Sequence, residues 1–490
     1  MPVAVASSCS SSIGSIRTKR NSQRQRHKRY QRRSCSAYLI LDIIAIVATF
    51  ASRIGAVCAL RNRASAFVVA ATTTTSPSII SKQHSSRDFA LSGIHRITTT
   101  TRRSLNSTAM DASKTGYDIP TSMRGLFAGS GVEGLSNPLI NAQILDLLPA
   151  HKTKNGFQKI NVLYLGTATY DIAYFREKQT GRFVDKGCTI NHLDVASDDE
   201  NLNLDHCAEL IRSADVLLVG GGNTLFAVDR WNHLGLVEHM RKALERGCIL
   251  TGGSAGAICW FDSGHSDSAD PETYKEAMLQ EYWSGSNSSS KKDKNSNAKK
   301  DESSDYDPSN KKEWKYLRCP GLGFVPGPMV CCPHHDKVQS NGLLRAHDFD
   351  EMLLQRARSS KRSVLGIGID HYSAFIVEGE DYKVYSLPEK PGSISTTTES
   401  DKGFFDVSEN GTPNGKPGVW IKRVIVADTA NTNNDEDLCV EAMVCPPSGK
   451  LIDLLSYGGD NLPGQNNEEH DENQAAVDKC RKENPSGREF

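Results

Sequence analysis

Long apolar runs, cysteine and net charge are all in short supply in this sequence, and each shortage excludes something. The apolar run at 37–51 (AYLILDIIAIVATFA) is interrupted by Asp42 and is shorter than the roughly 20 residues a membrane-spanning helix needs. Thirteen cysteines in 490 residues are too few for a disulfide-stapled scaffold, and the odd count leaves at least one thiol unpaired. Cys188, Cys207, Cys248 and Cys259 sit in or beside apolar runs, where a free thiol packs as a small hydrophobe; a reducing compartment is the simplest reading. The formal net charge is zero, but that zero is a sum of opposites. Residues 1–109 hold 17 Lys and Arg against two acids, Asp42 and Asp88, so the remainder holds 41 basic and 56 acidic side chains. An acidic body lacks the clustered Lys and Arg that a phosphate backbone requires, which argues against a nucleic-acid partner.

The front of the chain reads as address rather than fold. Residues 17–33 carry nine Lys and Arg and no acid, and the apolar run 37–51 follows. That is the order of a secretory signal. Ala64-Ser65-Ala66-Phe67 then leads into a Ser/Thr-rich segment with Arg102 and Arg103, a composition suited to a transit peptide. The tandem resembles the bipartite presequence of algae with secondary plastids. Residues 1–109 are therefore expected to be a disordered targeting presequence, signal plus transit-like, and a plastid is the expected destination. The alternatives are an anchor formed by 37–51, or a cytoplasmic chain starting at Met110.

From Gly125 onward, short apolar runs alternate with longer polar-periodic segments. Ile160–Gly166, Ala214–Gly220 and Cys248–Thr251 read as buried strands, with later strands at Ser363–Ile369, Ser373–Val377, Tyr382–Tyr385 and Gly415–Val426. Between the second and third, Leu225–Arg246 has helical apolar spacing that a break near Gly235 divides in two. Continuous apolar strands alternating with helices predict an α/β fold: three layers, with a mostly parallel sheet covered on both faces. Residues 284–313 are Ser, Lys, Asn and Asp almost without apolar side chains, too polar to order themselves. A similarly polar tail, expected to fray, closes the chain.

Gly252-Gly253-Ser254-Ala255-Gly256 carries the strongest chemical signal, lying after the Cys248–Thr251 strand and before an apolar helix start. This is a G-x-S-x-G nucleophile elbow in the strand-to-helix context it needs. The sharp turn lifts the Ser254 hydroxyl above the sheet, and the Ala255 N–H points where a carbonyl oxygen would become negative. Gly220-Gly221-Gly222-Asn223-Thr224 occupies a matching strand-to-helix turn upstream and makes Gly222 a candidate second oxyanion donor. It lacks the Lys of a phosphate loop and the spacing of a dinucleotide fingerprint, so no cofactor is expected. A base is offered by His334 or His335 in Val330-Cys-Cys-Pro-His-His-Asp336. Cys331, Cys332, His334, His335 and Asp336 are also metal-ligand types, but neighbouring strand residues face opposite ways and cannot all converge; no metal is expected. Asp370, at another strand end, is the best-placed carboxylate to orient the imidazole.

Gly220–Thr224, Gly253–Ala257, Cys332-Pro-His-His335 and Gly366-Ile-Gly-Ile-Asp370, in that order, resemble the dipeptidase E (aspartyl dipeptidase) family and its relative cyanophycinase. The resemblance covers about residues 124–390 without the insert. It implies a fold like that of class I glutamine amidotransferases, with Ser254 at an elbow that carries Cys there. It further implies that Ser254 attacks a carbonyl, that His334 shuttles the proton, and that Gly222 and Ala255 hold the oxyanion. Substrates would be short peptides bearing Asp, whose carboxylate a cation receives. Arg345 is the candidate, with Arg356 and Arg358 as alternatives and Asn223 as a second substrate contact. The order Ser254, His334, Asp370 follows the family rather than the Ser, acid, His order of α/β-hydrolases. One departure stands out: the relatives' acid often falls one place later, at the position of His371. Either Asp370 serves instead, or the triad is loosened. The expected division is thus presequence 1–109, a serine peptidase domain 110–460 with a low-complexity insert 284–313, and a polar tail 461–490. The rival readings are a cyanophycinase-like hydrolase of β-aspartyl-arginine bonds and a non-catalytic binding protein on the same fold. A small peptide is the expected partner, with no nucleic acid, membrane contact only through an uncleaved presequence, and a monomeric or homodimeric state.

Overall fold

The computed structural model describes residues 119–154, 156–197, 202–288, 313–359, 364–394, 415–426, 438–457 and 472–487, all within one unit, His95–Phe490. The presequence, Met110 and most of the 284–313 segment lie outside the described residues.

Two sheets organise these residues. The first runs from edge to edge as β14 (Ser448–Lys450), β11 (Asp381–Ser386), β10 (Ser373–Glu378), β1 (Arg124–Ala128), β5 (Ile249–Gly253), β4 (Val216–Val219), β2 (Asn161–Leu165) and β3 (Thr189–Leu193). Its five strands from β1 to β3 are parallel, whereas β10, β11 and β14 join antiparallel. Alternation along β4 explains the layering. Leu217 and Val219 pack with Trp231, Met240 and Leu244 on one face, while Val216 and Leu218 pack with Ile140, Ile144 and Phe183 on the other. With both faces covered by helices, the strands read as unbroken apolar runs. The α/β fold expected from the sequence is present.

The predicted break near Gly235 is also there. Helices Thr224–His233 and Val237–Glu245 meet at Gly235, whose φ of 69° suits a residue without a side chain. Unpredicted strands include β3, whose TINHL sequence is largely exposed at a sheet edge and has no apolar run to mark it.

The second sheet was not anticipated as separate. It runs β13 (Leu438–Val444), β12 (Val419–Val426), β9 (Leu365–Ile369), β8 (Met329–Pro333), β6 (Ser263–Ser266) and β7 (Leu317–Pro320). One face packs Val330, Cys332 and Val424 against Phe349 and Leu353 of helix Arg345–Ser359. The other face turns Cys331, Ile367, Ile369 and Ile421 into the core that also holds Phe127 and Phe375 of the first sheet. The sheets therefore share one apolar interior. The ten cysteines among the described residues are all free.

Two boundaries need correction. Helix Lys275–Ser288 extends into the start of the predicted insert. The tail is not simply frayed: helix Glu472–Glu483 buries Val477 and Cys480 against Leu225, Leu317 and Cys319. Its Arg481 forks onto both oxygens of Asp229, at 2.7 and 2.9 Å. Two apolar residues at i,i+3 spacing and one bidentate ion pair dock an otherwise polar helix. Val477→Asp would bury an unpaired carboxylate there and should cost more than about 2 kcal/mol, read as a lower urea midpoint. An unchanged midpoint would mean that this helix contributes nothing to the folded domain.

Candidate active site

Ser254 follows β5 directly with φ 55° and ψ −123°, and a one-turn helix, Ala255–Ile258, comes next. This left-handed backbone costs a non-glycine residue roughly 1–3 kcal/mol. The turn is crowded by neighbouring backbone: a Cβ on Gly253 would lie 2.1 Å from the Ser130 carbonyl oxygen, so only glycine fits before the serine. The Ser254 N–H donates to the carbonyl of Ala128, at the end of β1, at 3.2 Å. His334 follows β8, is also held at positive φ (49°), and donates its N–H to the next carbonyl, that of Gly129, at 2.9 Å. Two consecutive carbonyls thus position both residues, and Ser254 Oγ lies 2.8 Å from His334 Nε2.

The oxyanion candidates lie beside this pair. A Cβ on Gly131 or Gly221 would stand 3.7 or 3.5 Å from the Ser254 Cβ, so bare backbone flanks Ser254. Gly222 follows Gly221 with φ 114°, and a Cβ there would strike the Ala168 carbonyl at 2.1 Å. Neither the Gly222 nor the Ala255 N–H donates to a backbone carbonyl among the described residues. Both remain suited to an incoming oxygen.

The third member differs from the expectation. His334 Nδ1 lies 2.7 Å from His371 Nδ1, whereas Asp370 Oδ1 lies 3.1 Å from Nδ1 of His335. Asp370 is fully buried, and its other oxygen accepts from the Ser393 N–H, the Ser393 hydroxyl and the Gly418 N–H. Asp370 therefore orients His335, not His334. The cause is the backbone. The parallel register pairs Pro333 with Ile369 and, continued one step, would put His334 and Asp370 on one face. The left-handed His334 ends the pleat before that step. The His371 main chain is fixed in turn, its N–H donating to Asp336 Oδ1 at 2.7 Å.

For Nε2 to accept from Ser254, His334 must carry its proton on Nδ1 and donate it to His371. Two neutral rings satisfy this. Burial chiefly, then His371, Arg345 and Lys337, hold His334 well below the usual histidine range. Burial, Lys337 and Lys390 push His371 down to about 3. The buried acids behind them go the other way: burial raises both Asp336 and Asp370, and the donors on Asp370 oppose the rise.

The substrate-contact candidates are engaged elsewhere. Asn223 is buried as the N-cap of helix Thr224–His233, accepting from the Phe226 N–H and donating to the Ser268 carbonyl and the Thr273 hydroxyl. Arg345 is fully buried; it donates to the His265 carbonyl at 2.6 Å, pairs with Asp267 and stacks over Tyr316. Arg356 binds Ser263 and Asp262, and Arg358 pairs with Glu351. The run Ser263–Ser268 proves structural: Ser266 bonds Thr224, and Ser268 accepts the Leu225 N–H. Cys331 and Cys332 are buried in β8, with thiols pushed up by that burial. A cavity of about 430 Å³, lined by Arg318, Arg356, Arg481 and Asn473 among others, lies against the C-terminal helix, and neither Ser254 nor His334 lines it.

Sequence reasoning had marked His371 only as a departure from the family pattern. It noted Asp336 only as a metal-ligand type, and it did not find Ser393 or the Ala128 and Gly129 carbonyls, because backbone acceptors and distant serines leave no local signature.

A serine at an elbow, hydrogen-bonded to a neutral imidazole beside free backbone N–H groups, defines a serine-type hydrolase. Residues 129–282, which include the elbow, match the family described as Peptidase family S51. The uncharacterized peptidase YgaJ of Bacillus subtilis (strain 168) is 33% identical over 112 residues, which are 23% of this chain and 47% of that protein; the match spans about half of that relative. A Trypanosoma brucei brucei protein named G2/mitotic-specific cyclin-1 is 24% identical over 343 residues, covering 67% of this chain and 90% of that one. That name and the peptidase names describe different activities; in this chain the family match and the Ser254–His334 geometry agree on a hydrolase. The crystal structure of a peptidase E protein from Listeria monocytogenes EGD-e aligns at 15% identity and a TM-score of 0.33, covering 54% of this chain and 98% of that one. The family match over residues 129–282 and the peptidase relative support a serine peptidase of the dipeptidase E type.

Two outcomes follow from this geometry. Only neutral His334 can take the serine proton, and its surroundings favour the neutral form. The acid limb of kcat/KM should therefore fall below the ordinary histidine value of about 6.5. A limb at pH 6.5–7 would contradict the electrostatics described here. Asn223→Ala should lower unfolding free energy by about 1–2 kcal/mol through the lost cap, measured by urea titration. Unchanged stability with a raised KM would restore Asn223 as a substrate contact.

Proposed function

We propose that this peptidase hydrolyses short Asp-containing peptides, with Ser254 as nucleophile, His334 as general base and His371 as the group that holds His334. The observation that carries the reading is the 2.8 Å contact between Ser254 Oγ and His334 Nε2 at an elbow. Ser254 Oγ attacks the scissile carbonyl carbon as its proton passes to His334 Nε2, and the oxygen, now negative, is met by the N–H groups of Gly222 and Ala255. The carbon–nitrogen bond then breaks, with His334 returning the proton to the departing amine. Water, activated by the same imidazole, releases the acyl group. His371 takes the place of the usual carboxylate and offers a lone pair rather than a negative charge. It can fix the tautomer and angle of His334, but it stabilises the developing imidazolium less than an ionised acid does.

The test is a panel of Asp-X, X-Asp and β-Asp-Arg dipeptides offered to the full chain beside Ser254→Ala. Release of Asp from Asp-X that drops by about 10³-fold or more in the variant supports the reading. Cleavage of β-Asp-Arg alone would replace it with a cyanophycinase-like activity. Hydrolysis that survives in Ser254→Ala would remove the assigned nucleophile.

A further inference from the structure

Gly222, the oxyanion candidate that lies outside the elbow, has its backbone held from two sides. On one side the Ala168 carbonyl accepts the Asn223 N–H at 2.8 Å and crowds Gly222 so closely that no side chain fits there. On the other side the Asn223 amide donates to the Thr273 hydroxyl at 2.9 Å. Ala168 belongs to the turn Thr167–Thr169, which Tyr170 closes at φ 54°. Both supports meet at the Tyr170 side chain. Its hydroxyl donates to the Thr273 carbonyl at 2.6 Å, and its ring lies edge-on to Phe226, whose N–H the Asn223 side chain accepts.

Asn484, directly after helix Glu472–Glu483, closes this ring of contacts. Its Nδ2 donates to the Tyr170 hydroxyl at 2.9 Å, and its Oδ1 accepts the Lys275 N–H at 3.1 Å. Burial holds the Tyr170 phenol above its ordinary range, so it keeps the proton that it donates to Thr273. That hydroxyl can therefore only accept from residue 484, whereas the Lys275 N–H can only donate. An amide meets both demands. A carboxylate or an apolar side chain would leave one of them unmet in a buried place. The flanking residues fix the segment as well: Glu483 accepts the Tyr274 hydroxyl at 2.9 Å, and the Ser486 carbonyl accepts from Arg230 at 3.0 Å.

We infer that Asn484 and Tyr170 are positioning residues for the Gly222 N–H, so that the C-terminal helix completes the oxyanion hole from far along the chain. This deepens the proposed function and rests on it. The physical reason is stiffness. A glycine backbone has the widest conformational freedom, and an N–H favours a developing oxyanion only if it is aimed before the charge appears. The Tyr170–Asn484 contact clamps the two supports that aim it. Neither side chain has to touch the substrate, so their effect belongs to kcat and leaves KM alone. Residues 129–282 include Gly222, Tyr170 and the elbow, but Asn484 lies outside that matched segment.

The experiment compares the wild-type full chain with Tyr170→Phe, Asn484→Leu and the double variant, each treated with an alkyl fluorophosphonate. Ser254 Oγ attacks the phosphorus, its proton passes to His334 and fluoride leaves, while the oxyanion donors hold the phosphoryl oxygen; no particular peptide is needed. Final stoichiometry counts the folded sites, and the rate reads their alignment. Each single variant should label to about one phosphonate per chain yet about tenfold more slowly, with kcat on Asp-X lowered to match and KM unchanged. The double variant should be no slower than the slower single one, since both side chains act through one contact. Asn484→Asp, of the same shape, takes the place of Asn484→Leu if the latter does not fold. Wild-type rates in the variants, or a loss confined to stoichiometry and the urea midpoint, would make the contact structural only and overturn the inference. Losses that multiply in the double variant would overturn the shared role. Slowed labelling in variants of a wild type that cuts no Asp peptide would leave the inference standing while the substrate reading falls. A folded wild type that neither labels nor cuts removes the serine hydrolase reading, and this inference with it.

Discussion

Two neighbouring carbonyl groups, those of Ala128 and Gly129, hold this site together. The first accepts the N–H of Ser254 and the second that of His334, and the two residues directly follow strands of different sheets. Both are bent into left-handed backbone, a conformation that persists only where the surroundings over-determine it. The shared apolar interior provides that insistence. Phe127, Phe375, Cys331 and Ile369 pack in one core, so the sheets cannot slide without opening it, and the Ser254–His334 distance is inherited from that packing. Gly129 also lies so close to Asp370 that a Cβ would stand 1.9 Å from its carbonyl oxygen. Two adjacent peptide units therefore touch Ser254, His334 and the turn that carries His371.

The electrostatics of the site divide into two layers. Outside is a chain of two neutral imidazoles flanked by lysines; behind it lie two buried carboxylates, Asp336 and Asp370, whose donors are His335, Ser393, Gly418 and the His371 main chain. Negative charge is thus available within the fold but is spent on holding the framework. The consequence is that the imidazole of His334 has no carboxylate at its Nδ1 to favour its cationic form.

Much of this was legible before any coordinates. Apolar strands alternating with amphipathic helices implied the covered parallel sheet, since only a doubly buried strand such as β4 can be apolar at every position. The elbow was legible because its glycines are demanded by backbone crowding within a few residues. The edge strand β3 and the docked C-terminal helix were not, because exposed strands and largely polar helices take their structure from distant partners such as Asp229. Asn223 and Arg345 were misread for a related reason: a polar residue near a glycine-rich turn or after a base looks free in sequence, whereas here both are consumed by caps and buried pairs.

By itself the sequence determined the α/β class, the glycine-flanked turn at Ser254 and the pair of histidines, all of which depend on residues adjacent along the chain. Only the tertiary structure decided which histidine meets the serine and which partner stands behind it. Strand parity sends His334 toward Asp370, and a single left-handed residue reverses that pairing. Such a reversal is set by the contact of His334 with the Gly129 carbonyl across two sheets, a non-local constraint with no trace in the local pattern.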